Sequence, residues 1–130
     1  MIMNRGVVFL GAALVIGVFV WFLAEKGFRE SEIVDLRGNP SVRVVLTDEG
    51  YEPRYLRIDQ GTVVTFSTTR ESQHWPASNL HPTHEIYSEF DPKRPLSSTE
   101  AWSFRFEEIG EWGVHDHVRS YYTGIIYVGE

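Results

Sequence analysis

Histidine is the residue with which this chain can do chemistry. All five histidines, His74, His81, His84, His115 and His117, fall between residues 74 and 117, and none precedes them. Neutral imidazole is a usual protein ligand for copper and zinc. His115-Asp116-His117 sets two rings at i and i+2, which an extended strand turns to one face. His81-Pro82-Thr83-His84 has i, i+3 spacing, which a turn makes convergent. Each group also has a plain reading: His81 and His84 as solvated loop residues, His74 as a hydrogen-bonded core or surface residue. The gathering of every histidine into one part of the chain favours a metal site, for copper or zinc. Five candidates exceed the four places of an all-imidazole site, so one is expected outside it or as a transient ligand. Asp116, between two proposed ligands, is expected to point to the opposite strand face, as a surface residue or a support to the ligands.

The composition excludes other chemistries. The chain has 130 residues, no Cys and a formal charge of −6. Without Cys there is no disulfide, thiolate metal site, iron–sulfur cluster or thiol nucleophile. The acidic balance argues against nucleic acid as a partner, because phosphate binding needs clustered Lys and Arg. No Ser-His-Asp arrangement, phosphate-cradling Gly loop or paired-carboxylate signature stands out.

The elements that must position the histidines read as strands. Residues 42–47 are rich in β-branched side chains, 55–58 and 62–67 alternate, and 102–106 carries aromatics on one face and polar groups on the other. Residues 111–115 and 124–128 complete the set, with turns at 59–61 and 109–110. Short strands at regular spacing predict an all-β sandwich or small barrel over 41–130. Residues 76–100 break the pattern. They hold four of the six prolines and two histidines, and are expected to be a functional loop.

Ahead of the domain, Gly6 to Ala24 is an uncharged apolar run of 19 residues, close to the roughly 20 that span a bilayer as a helix. It is read as an uncleaved transmembrane signal anchor, with a cleaved signal peptide as the runner-up. Residues 1–5 would be a short cytoplasmic tail and 25–40 a polar tether. The domain would then lie on the extracytoplasmic side, periplasmic or extracellular.

The stretch from about 42 to 130 resembles the cupredoxins, the plastocyanin-like copper-binding proteins. Leu56-x-Ile58-x-x-Gly61-Thr62-x-Val64-Thr65-Phe66 is similar to the opening strands. Trp102-Ser103-Phe104-x-Phe106-x-x-x-Gly110-x-Trp112-x-x-His115 is similar to the strands that lead into the family's Cys ligand. The resemblance implies a Greek-key β-sandwich and copper as cofactor. It implies His74 as the first ligand, puts His115 at the Cys position and His117 at the second loop histidine, and drops the axial Met position on Tyr122. Tyr122 is weighed as an axial oxygen donor against rim packing. His-Trp-Pro-Ala-Ser-Asn-x-His-Pro-Thr-His at 74–84 looks like a His-rich variant group, in which the extra histidines join the site.

A Cys-less site cannot be a blue copper centre. The expectation is therefore a membrane-anchored, non-blue, type 2-like copper protein acting in copper binding, delivery or redox buffering. The alternatives are an electron carrier to a membrane enzyme and an enzyme with an open mononuclear copper site. The partners expected are a metal ion, the membrane, and a redox or copper-delivery protein.

Overall fold

The computed structural model describes residues 32–130. The anchor expected over 6–24, the tail before it and the first part of the tether lie outside the described residues. Among the described residues, no helix is long and apolar enough to cross a membrane.

Among the described residues, nine strands form two sheets. The first sheet contains β1 (Ile33–Asp35), β4 (Tyr55–Asp59), β9 (Arg119–Gly129), β8 (Gly110–Asp116) and β6 (Pro76–Ser78), in that spatial order. The second contains β3 (Tyr51–Glu52), β2 (Ser41–Leu46), β5 (Val63–Thr68) and β7 (Trp102–Arg105). This is the expected all-β sandwich. Alternation explains it: in β2, β4 and β5 the even-numbered positions Val42, Val44, Leu46, Leu56, Ile58, Val64 and Phe66 are buried, because successive side chains leave opposite faces of a strand. The turn expected at 59–61 closes with Gly61 at φ +84, a conformation that glycine adopts without steric cost.

Two expectations change. Ile33–Asp35 lies inside the stretch read as tether, yet it forms β1 and pairs in parallel with β4. The folded domain therefore begins earlier than residue 41. The segment over 76–100 also contains structure: Pro76–Ser78 is an edge strand antiparallel to β8, and an edge tolerates proline because its missing N–H faces outward.

The connection from β6 to β7 is not a simple surface loop. It includes a 3-10 turn at Glu85–Tyr87 and buries Tyr87, Phe90 and Leu96. Phe90 is fully buried and packs on Phe66 at 5.3 Å and flat against Trp102 at 5.7 Å. Burying a side chain of this size contributes about 1.5–3 kcal/mol. The same segment carries His81 and His84, so the aromatic core holds the loop that presents them.

Candidate metal centre

The site grows from the end of β8. Val114 belongs to the hydrophobic core, so strand alternation turns His115 and Gly113 to the other face. Asn79 lies over Gly113: a Cβ there would collide with the Asn79 side-chain amide. The Asn79 N–H also donates to the Gly113 carbonyl at 3.1 Å. These contacts seat the start of the His81–His84 loop beside His115. His84 itself adopts a left-handed backbone, φ 59, as the loop enters its 3-10 turn.

Four histidines converge here. His81, His84, His115 and His117 each offer a nitrogen within 4.8 Å of the others. His81 Nδ1 lies 3.2 Å from His115 Nε2, and His84 Nε2 lies 2.7 Å from His117 Nδ1. An ion about 2.0–2.1 Å from each imidazole nitrogen separates neighbouring tetrahedral donors by about 3.3 Å. The 3.2 Å pair matches that spacing, the 2.7 Å pair must open slightly, and the separations that reach toward 4.8 Å must close for one ion to hold all four. The donor set is also right, since four neutral imidazoles suit copper or zinc. His84 and His115 are buried, His117 is half-buried and His81 is exposed.

The fifth histidine stands apart. His74 is buried, but its Nε2 donates to the Glu100 carbonyl at 2.9 Å, and its backbone bridges Leu96. The structure does not bring it into the group of four, although the resemblance made it the first ligand. Tyr122 is also elsewhere. Its hydroxyl donates to the Asp48 carbonyl at 2.9 Å and accepts from Arg70 at 2.9 Å.

Asp116 makes its side-chain contacts to Trp75 and Arg119 rather than to the four, and it is fully buried rather than on the surface. Its carboxylate accepts the Trp75 N–H at 2.7 Å and an Arg119 N–H at 3.2 Å. The His117 N–H donates to the Trp75 carbonyl at 2.8 Å. Trp75 is therefore held at its backbone on both sides by the end of β8. Its ring lies over His117, with centroids 4.3 Å apart.

Sequence reasoning missed Asp91. Its buried carboxylate lies 2.6 Å from His84 Nδ1, and accepts the Trp75 indole N–H at 2.8 Å and the Lys93 backbone N–H at 2.7 Å. The local signal was an Asx turn at Asp91-Pro92-Lys93, which says nothing of the histidine. Burial alone would raise this carboxyl, but the bonds from His84, Trp75 and Lys93 outweigh it and hold it at about 2.

Electrostatics favour the neutral form of two of the rings, His115 and His117. Burial, then the neighbouring His84, His81 and His117, push His115 down to about 4. Burial and the same crowding by His84 and His81 lower His117. A neutral ring keeps the lone pair that a metal needs.

No protein-family model and no curated sequence matches the chain. Solved structures do. A purple cupredoxin from Nitrosopumilus maritimus aligns at 21% identity and TM-score 0.59, over 68% of this chain and 99% of that one. An oxidised amicyanin mutant aligns at 19% identity and TM-score 0.59, over 71% and 85%. A copper-containing nitrite reductase from Thermus scotoductus SA-01 aligns at 18% identity and TM-score 0.64, over 78% of this chain but only 29% of the enzyme. The likeness is one of fold.

Proposed function

We propose, from a cupredoxin fold that carries four converging imidazoles and no cysteine, that this chain is a copper-binding protein with an all-histidine, non-blue centre. The observation that carries the reading is the set of four nitrogens on His81, His84, His115 and His117 within 4.8 Å of one another. When bound there, copper would supply a redox-active ion in type 2-like nitrogen ligation. The chain's own residues do the rest. The β8 strand fixes His115, the loop fixes His84, and Trp75 covers His117. The exposed His81 suits capture and hand-over of an ion, because a solvent-facing ligand can exchange with a donor or acceptor protein. Copper binding and delivery, or redox buffering, is therefore preferred over catalysis. The apolar run at Gly6–Ala24 supports a membrane tether with the domain on the extracytoplasmic side.

The test is titration of the full-length chain with Cu(II) and Zn(II), with EPR of the copper form. One Cu(II) per chain with nitrogen hyperfine structure, lost in the His84→Ala, His115→Ala double variant, is expected. No retained copper, or retention of zinc alone, would overturn the copper reading. Cell fractionation tests the tether: the intact chain should sediment with membranes, and a chain lacking residues 1–31 should not.

A further inference from the structure

The two buried rings of the group are held differently. His115 Nδ1 is buried and has no hydrogen-bond partner. His84 Nδ1 meets Asp91 Oδ2 at 2.6 Å, and among the described residues Asp91 is the one carboxylate that touches a histidine of the group. A carboxylate only accepts, so the ring nitrogen facing it must carry the proton. A neutral imidazole has one proton, and His84 Nε2 is then left with its lone pair aimed at the other rings. Asp91 is itself locked: Oδ1 is occupied by the Trp75 indole N–H and the Lys93 backbone N–H, while Lys93 Nζ sits 3.3 Å from Oδ2.

We infer that Asp91 is a positioning residue that fixes the tautomer of His84, making Nε2 a ready metal donor before any ion arrives. The inference rests on the reading of the four histidines as a metal site, and it adds what prepares that site. It also says what an isosteric change does. In Asp91→Asn the amide oxygen stays with the Trp75 and Lys93 donors, since the flipped amide would set its NH2 against two N–H groups. The amide NH2 then takes the place of Oδ2 and donates to His84 Nδ1. The ring proton moves to Nε2, and the metal donor is lost.

The experiment is nitrogen-15 NMR of the histidine rings in the full-length, metal-free chain, followed by Cu(II) titration. The wild type should show His84 protonated at Nδ1. Asp91→Asn should show it protonated at Nε2, with Cu(II) affinity lower by about 10–100-fold. Asp91→Glu, which restores a carboxylate, should return the proton to Nδ1. A wild-type His84 protonated at Nε2 would overturn the inference, and that result does not depend on any variant folding. So would an Asp91→Asn chain with the wild-type tautomer and wild-type affinity. A wild type with the expected tautomer that binds no copper would instead sink the proposed function and leave the role of Asp91 toward His84 standing.

Discussion

His84 Nε2 and His117 Nδ1 face each other at 2.7 Å. Two lone pairs cannot sit that close, so without an ion one nitrogen carries a proton. Asp91 places the His84 proton on Nδ1, which leaves the bridging proton on His117 Nδ1. A metal ion between the rings must displace it. Metal binding is therefore expected to move the His117 proton from Nδ1 to Nε2, while the His84 proton stays where it is. Ring nitrogen-15 shifts recorded with and without Zn(II) check this, and unchanged shifts at His117 would contradict it.

His74 separates a structural histidine from the proposed ligands. Its Nε2 bond to the Glu100 carbonyl is buried, and losing such a bond costs roughly 1–3 kcal/mol. His74→Ala should lower the denaturation midpoint yet keep one Cu(II) per chain. His115→Ala should lose tight copper binding. Equal losses of binding in the two variants would place His74 in the site after all.

The metal-free domain should weaken in acid, and the sign follows from the site. His115 has its folded value lowered from 6.5 to about 4. Between these values the unfolded chain binds a proton that the folded chain refuses. Stability is fully present above 6.5 and is lost as the pH falls toward 4. Asp91, lowered from 3.8 to about 2, adds a further loss below 3.8. Denaturant midpoints measured across this range should fall with pH, and His115→Phe should flatten the upper part of the curve.

Gly113→Ala tests the seat of the loop. The new methyl would collide with Asn79, at a cost of about 1–3 kcal/mol for forced repacking. Because Asn79 leads directly into the segment of His81 and His84, copper affinity should fall along with stability. Gly38→Ala is a useful contrast: it meets open space, though at φ +82. It should cost stability through its backbone and leave affinity unchanged. Calorimetry and copper titration of both variants distinguish the two effects.

Trp75 offers an optical readout. Its ring is 4.3 Å from that of His117, close enough for a paramagnetic ion at the site to quench its emission. Cu(II) should quench part of the tryptophan fluorescence and Zn(II) should not. In Trp75→Phe the quenched component should be missing while Trp102 and Trp112 still emit.

The longer strands were legible from local signals: alternation in β4, β5 and β7, β-branched content in β2, and short runs bounded by turn residues in β8 and the second half of β9. The short strands carried none. Pro76-Ala77-Ser78 is buried at all three positions, so it has no alternation to read, and Ile33–Asp35 sits in polar surroundings. At the site, the pairing of His115 and His117 was visible because the two are near neighbours in the chain, although only His115 lies in β8 and His117 opens the turn that follows. What removes His74 is a carbonyl 26 residues away in sequence, and what orients His84 is a carboxylate chosen by loop packing. Contacts of that kind are created by the fold, and residue type alone could not rank the five histidines.

The burial of Phe90 has a consequence for the lifetime of a bound ion. His84 and Asp91 ride on the segment that Phe90 pins into the aromatic core. Swinging that segment aside to free an ion would pull Phe90 away from Phe66 and Trp102, an event close to unfolding. An ion held at the proposed site is therefore expected to escape slowly by that route. The faster route is expected to be detachment of His81 alone, the exposed ring of the four. Replacing His81 should shorten residence time far more than replacing any surface residue of the same loop, and unfolding rate and metal dissociation rate should converge once His81 is held in place.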